Sequence, residues 1–187
     1  MGNSNKLKNG INFLPAYQMP GLPFVTSSVA GEVPCVDTGT NGVDPIEVQF
    51  PYVTKFFTIR NTGINELRVG FTKAGVYAPG ENYPATINAG ADKTGNTTLK
   101  DFSNYYLIPS ASNSTTDHPA ANTATIQTFN LRVKSIFLLS NSSAGDNTTA
   151  ANCTDFSLIA GLSTIAASEY PTLTGSVNGV DGWQGVG

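Results

Sequence analysis

PIEVQFPYVTKFFTIRNTGINELRVGFTKAGV, residues 45 to 76, is the stretch whose reading decides the fold class. Ile46, Val48 and Phe50 alternate with Glu47 and Gln49, and Leu67, Val69 and Phe71 alternate with Glu66, Arg68 and Gly70. A period of two is that of a strand with one face packed and the other in water. Between these runs lies a third strand, 53 to 60, and the polar loop NTGIN, 61 to 65, holds a Gly able to take positive φ, so the spacing predicts a hairpin.

Working outward, Leu22 to Val29 reads as a first strand, Tyr105 to Ile108 as another, and Phe156, Leu158, Ala160 and Leu162 as the alternation of a last core strand. In TATIQTFNLRVKSIFLL, 123 to 139, the apolar phase slips by one residue, which reverses the buried face; a bulge or strand break near Thr128 is expected. Long polar loops separate these blocks: 73 to 99, 109 to 122 and 141 to 152. Some eight strands with turn signals and no interleaved helices predict an all-β antiparallel sandwich. Residues 1–20 read as an N-terminal arm, 21–165 as the sandwich and 166–187 as a Gly-rich C-terminal extension. The shared parity of Phe57, Ile59, Leu67, Val69, Phe71, Leu131, Val133, Phe156 and Leu158 marks them as the expected core.

Composition agrees with strands. The chain has 187 residues, among them 22 Thr, 18 Asn, 15 Ser and 19 Gly, with only 12% charged, a mixture that starves helices and feeds turns and sheets. That length supports one domain with a core of its own. Net charge is −3 and the basic residues are scattered, so no stripe is present that could neutralise many phosphates, and direct nucleic-acid binding is not expected. Strand alternation could gather Lys55, Arg68 and Arg132 on one outer face, which reads better as solvated surface. The longest apolar run, Ile136 to Leu139, is too short to span a bilayer, and membrane insertion is not expected. Gly2 opens an imperfect myristoylation pattern, spoiled by Lys6. Cys35 and Cys153 follow no metal spacing and read as structural free thiols. Five N-x-S/T sequons, at Asn96, Asn113, Asn141, Asn147 and Asn152, mark polar loops.

Catalytic chemistry has no evident carrier. The single histidine, His118, sits in TTDHPA with no nucleophile motif to pair with, and the chain has no phosphate-cradling Gly loop and no H-E-x-x-H. No enzyme activity, cofactor or metal is expected.

The blocks FFTIRNTGINELRVGFTKAGV (56–76), LRVKSIFLLS (131–140), TDFSLIAGLSTI (154–165) and EYPTLTGS (169–176) resemble the penton, or vertex, capsid protein of large icosahedral double-stranded DNA viruses, most closely those of algae. The resemblance covers about half of the chain. It implies a single eight-stranded antiparallel jelly roll flanked by N- and C-terminal arms, assembled as a homopentamer at each fivefold vertex. It further implies contacts with neighbouring major and minor capsid proteins, a place in the virion capsid assembled in the host cytoplasm, and no catalytic residue. It assigns no residue to the pentamer contact.

The residues themselves offer interface candidates. Phe13, Leu14 and Tyr17 in the first arm need covering, Trp183 in the Gly-rich tail is costly to leave in water, and Phe56 shares parity with Thr54 and Thr58 on the face opposite the core. Terminal disorder is the competing reading of the arms. An alternative from another class is a carbohydrate-binding jelly-roll module or adhesin-like head, with Tyr77, Tyr83, Tyr105, Tyr106 or Trp183 stacking on sugars.

Overall fold

A computed structural model describes residues 21–28, 31–35, 43–73, 75–78, 104–110, 125–142 and 153–170, with the backbone of 176–177 and 180–181. The elements are β1 (Leu22–Ser27), β2 (Ile46–Gln49), β3 (Tyr52–Asn61), β4 (Leu67–Gly70), β5 (Tyr105–Ile108), β6 (Ile126–Phe129), β7 (Ser135–Ser140), β8 (Phe156–Ala166), a 3-10 turn at Ala167–Glu169, and a two-residue pair of strands, β9 (Ser176–Val177) and β10 (Val180–Asp181). Among the described residues that single turn is the only helical element.

Eight strands form two four-stranded antiparallel sheets, ordered β1-β8-β3-β6 and β2-β7-β4-β5. Within them β1 lies beside β8, β2 beside β7, β3 beside β6 and β4 beside β5. One core between the sheets contains Val48, Phe50, Phe57, Ile59, Leu67, Val69, Ile108, Ile136, Leu138, Phe156, Leu158, Ala160 and Leu162, with Phe24, Phe71, Phe129 and Val133 packed at its margin. Phe129 stacks on Phe57 at 4.8 Å between centroids and meets Phe71 edge-on at 6.5 Å. The alternation of Phe156, Leu158, Ala160 and Leu162 is thus a core face, as are Phe57, Ile59, Leu67 and Val69.

Leu131 departs from the expected core: it is 42% exposed. The phase slip is a strand break at 130–134, just beyond Thr128, and it carries the chain from β6 in one sheet to β7 in the other, so the parity of β7 does not extend back to Leu131. The break is pinned by Thr54, whose hydroxyl donates to the Leu131 carbonyl at 2.7 Å and accepts from the Val133 N–H at 3.0 Å. Register shifts on either side of Thr54 turn both Val53 and Thr54 inward, so Thr54 does not share the outer face with Phe56 and Thr58.

The expected hairpin is also overturned. β3 and β4 belong to different sheets and do not pair, so NTGIN crosses the edge of the sandwich instead of turning a ladder back on itself. Asn61, fully buried, organises the crossing. Its amide donates to the carbonyls of Asn65 at 2.7 Å, Pro109 at 3.0 Å and Ile108 at 3.4 Å; its carbonyl oxygen accepts from the Gly63 N–H at 3.0 Å and the Thr154 hydroxyl at 2.8 Å. Gly63 does not have positive φ. It is required for close approach: a Cβ there would lie 2.3 Å from Thr154 Oγ1 and 2.5 Å from the Asp155 backbone nitrogen.

Candidate interface surface

The two outer faces of the sandwich differ. On β2-β7-β4-β5, β4 is buried on both sides, whereas one-sided exposure is what the alternation predicts. Residues 75–78 account for this: Tyr77 is buried, with its hydroxyl donating to the Val43 carbonyl, and Arg68, only 4% exposed, donates through a terminal guanidinium nitrogen to the Val76 carbonyl at 3.1 Å. Arg68 Nε donates to Asn141 Oδ1 at 2.7 Å, Asn141 in turn donates to Glu66 Oε2 at 2.6 Å, and the guanidinium stands 4.6 Å from the centre of the Tyr105 ring. A buried cation is tolerable here because two acceptor oxygens and an aromatic face converge on it, with the Glu66 carboxylate behind Asn141. Lys55, Arg68 and Arg132 are not gathered on one face: Lys55 lies on β3 of the other sheet and Arg132 in the 130–134 break.

Among the described residues the outer face of β1-β8-β3-β6 has no comparable cover. Its register gives three successive rows of outward-facing positions: Pro23, Gly161 and Phe56; then Val25, Ile159, Thr58 and Thr128; then Ser27, Ser157, Arg60 and Ile126. Val25 is 69% exposed, Ile126 and Ile159 49% each, and Phe56 39%. Arg60 is the single charge in these rows. Thr58 and Thr128 share a hydrogen bond of 2.9 Å across β3 and β6. Phe56 rests on Gly161, where a Cβ would come within 2.5 Å of the ring, so the glycine gives the aromatic a seat that no other residue would leave open. β-branched and aromatic residues placed outward on contiguous strands form an apolar surface rather than isolated exposed residues.

Of the sequence-predicted interface residues, Phe56 is on this face; Phe13, Leu14, Tyr17 and Trp183 lie outside the described residues. Val25 and Ile159 were missed, although a signal existed: in FSLIAGL the alternation that buries Leu158 and Ala160 points Ile159 outward, where a polar residue is the norm. Among the aromatics that could meet a sugar, Tyr77 is buried, Tyr105 lies against Arg68, and Tyr106 is 46% exposed but engaged, its hydroxyl donating to Gln127 Oε1 at 3.1 Å and its ring edge-on to Phe129. Tyr83, His118 and Trp183 lie outside the described residues.

Cys35 and Cys153 are buried thiols, not a disulfide. The described residues contain no cluster of three or more His, Cys, Asp or Glu able to hold a metal ion, and no helix long and apolar enough to cross a membrane. The sequon asparagine Asn141 has its side chain committed between Arg68 and Glu66. Comparison with protein-family models, with curated proteins and with solved structures finds no match to this chain.

Proposed function

We propose that this chain is a structural capsid subunit whose sandwich is a single jelly roll and whose activity is assembly, as the homopentameric penton at the fivefold vertices of an icosahedral double-stranded DNA virus. The observation that carries the reading is the pairing of β1 with β8, β2 with β7, β3 with β6 and β4 with β5, distributed over sheets β1-β8-β3-β6 and β2-β7-β4-β5. A long antiparallel ribbon of four strand pairs, rolled so that alternate pairs fall in opposite sheets, produces this order, and it is the arrangement on which viral shells are commonly built. The strand-block resemblance points the same way.

The apolar rows around Val25, Ile159 and Phe56 supply the kind of surface that assembly covers. A closed ring needs a heterologous contact, one patch on each copy meeting a different patch on the next. In this reading the partners are further copies of the chain and the neighbouring capsid proteins, the setting is the virion capsid assembled in the host cytoplasm, and neither catalysis nor a cofactor is involved. The carbohydrate-binding reading is the weaker one, because of its candidate tyrosines Tyr77 is buried, Tyr105 lies against Arg68 and Tyr106 is tied to Gln127.

The test is electron cryomicroscopy of intact particles with fivefold averaging, joined to the mass of the purified protein in solution. Density for this chain at the vertices is the expected result. Its location away from the vertices, or in no particle, together with glycan-array binding by the monomer, would replace the capsid reading with the lectin one.

A further inference from the structure

We infer that the outermost strands of the two sheets, β1, β6, β2 and β5, are closed to strand addition, so that a partner, whether a second copy of this chain or another protein, meets the sandwich through side chains and not by lengthening a β-ladder. The barrier is carried by the backbone of those strands and by contacts they make within the fold. It does not depend on the vertex reading.

In an antiparallel ladder the N–H and C=O groups of successive residues face opposite edges of the strand, so one bond in register with the ladder fixes the direction of every group along it. The Ser28 N–H donates to the Phe156 carbonyl at 2.9 Å, in register with β1 and β8. Leu22, Phe24 and Thr26 therefore bond to β8, while Pro23, Val25 and Ser27 turn their backbone groups away from it. The Phe50 N–H donates to the Lys134 carbonyl at 2.8 Å, which directs Ile46 and Val48 to β7 and turns Glu47 and Gln49, with Pro51 next in phase, away from it.

The same reasoning holds on the opposite side of the sandwich. The Asn141 N–H donates to the Glu66 carbonyl at 2.9 Å, so Arg68 bonds to β7, and Leu67 and Val69 bond to Ile108 and Tyr106 of β5. Tyr105 and Leu107, with Pro109 next in phase, face outward. The Asn61 N–H donates to the Thr125 carbonyl at 2.8 Å, which directs Gln127 and Phe129 to β3 and leaves Ile126 and Thr128 facing outward from β6.

Each of these four outward rows is broken. Pro23, Pro51 and Pro109 have no N–H, and the ring carbon stands where the hydrogen would point, holding an incoming strand off. The carbonyls of Pro51 and Pro109 are engaged as well, the first by the Ala167 N–H at 3.2 Å and the second by the Asn61 amide at 3.0 Å. On β6 the Thr128 carbonyl accepts from the side-chain amide of Gln127 at 3.1 Å, and Gln127 in turn accepts from the Tyr106 hydroxyl of β5 at 3.1 Å. Tyr106 also meets Phe129 edge-on at 5.3 Å, so β5 and β6 are tied to each other across the gap between the sheets. What stays uninterrupted is Val25 and Ser27 on β1, Glu47 and Gln49 on β2, Tyr105 and Leu107 on β5, and Ile126 on β6. A partner strand of ordinary length, about five to six residues, would seek three bonding residues in a row. Prolines and covered backbone groups on outer strands are the means by which sheet proteins avoid joining edge to edge.

The test compares the full natural chain with Pro23→Thr, a change at an exposed position of an outer strand, and with Gln127→Val on the opposite side. Amide hydrogen exchange is read at Val25, Ser27, Ile126 and Thr128 from dilute to concentrated solution, together with the mass by sedimentation. In the natural chain these four rates should not change with concentration, even where the mass rises. In Pro23→Thr the Val25 and Ser27 amides, or in Gln127→Val the Ile126 and Thr128 amides, should slow by about tenfold or more on concentration, equivalent to a pairing favourable by about 1.4 kcal/mol. Slowing of any of the four amides in the natural chain on concentration would show that a ladder does form and overturns the inference. Slowing in neither variant overturns it too, because Pro23 and Gln127 would then not be what closes these strands.

Discussion

Asn61→Ala should remove the link that ties the two sheets together where β3 leaves one and β4 enters the other. The substitution leaves the Gly63 N–H without its acceptor and the Pro109 carbonyl without its donor, while the Thr154 hydroxyl retains the Asn65 carbonyl at 2.9 Å. Each orphaned buried group costs about 1–3 kcal/mol, so the pair, with the small void left by the amide, predicts a loss of roughly 3–5 kcal/mol. Against a total stability of about 5–15 kcal/mol, that is enough to lower the urea midpoint severely.

Asn61→Asp sharpens the test because it keeps the shape. One carboxylate oxygen would still accept from Gly63 and Thr154, but the other would face the carbonyls of Asn65, Pro109 and Ile108 with no proton to offer. Burial and those carbonyl dipoles favour the protonated acid, raising its folded pKa above the unfolded value of about 3.9. A raised folded pKa gives stability that is present below the unfolded pKa and lost as pH rises through the folded one, so Asn61→Asp should lose more relative to the natural chain at neutral pH than in mild acid. Equilibrium urea unfolding at both pH values reads this directly. An Asn61→Ala loss under about 1 kcal/mol, or an aspartate variant less impaired at neutral pH than in acid, would refute the account of this corner.

Phe57→Ala should cost about 3–5 kcal/mol in chemical denaturation, since the ring is fully buried and stacked on Phe129, whereas Phe56→Ala, on the outer face, should cost much less; equal losses would mean the face assignment of β3 is wrong. Gly161→Ala should destabilise by about 1–3 kcal/mol by displacing the Phe56 ring, and Phe56→Ala in the same chain should relieve most of that cost; strict additivity in the double-mutant cycle would show that the two do not meet. Reductant should leave the melting temperature unchanged, because Cys35 and Cys153 are thiols; a drop equivalent to about 4–5 kcal/mol, the contribution of a disulfide closing so long a loop, would contradict this.

What the sequence made legible was whatever alternation alone controls: the strands near 46–49, 52–61, 67–70, 105–108 and 156–166, and the inward set of Phe57, Ile59, Leu67, Val69, Phe156 and Leu158. Alternation reports which side of a strand is wet and says nothing about which strand lies beside it. That is why NTGIN read as a hairpin. Its real role depends on Pro109, Cys153 and Thr154, distant in sequence: Pro109 is bonded to Asn61, Cys153 to Asn65, and Thr154 to both. Arg68 escaped for a similar reason: alternation put it outward correctly, but Val76, Asn141 and the Tyr105 ring, remote from it in the alternation, meet its guanidinium and it is buried. Leu131 failed because parity was carried across a change of sheet. The apolar face was half legible, through Phe56; recognising Val25 and Ile159 required knowing that β1 and β8 are neighbours, so that two exposed residues become one surface.

The strand order also dictates when the molecule can fold. β8 lies between β1 and β3, and β7 lies between β2 and β4, so the two inner strands that join the halves of the sheets are the last two of the eight to be synthesised. Until they leave the ribosome only the β3–β6 and β4–β5 pairs can form, while β1 and β2 wait without neighbours. At ordinary translation rates β1 waits on the order of ten seconds for β8. During that interval Phe24, Val48 and Phe50, destined for the core, are open to solvent and to other nascent chains. The sandwich closes as a late, nearly simultaneous event, and a chain stopped short of β7 has neither sheet to fall back on.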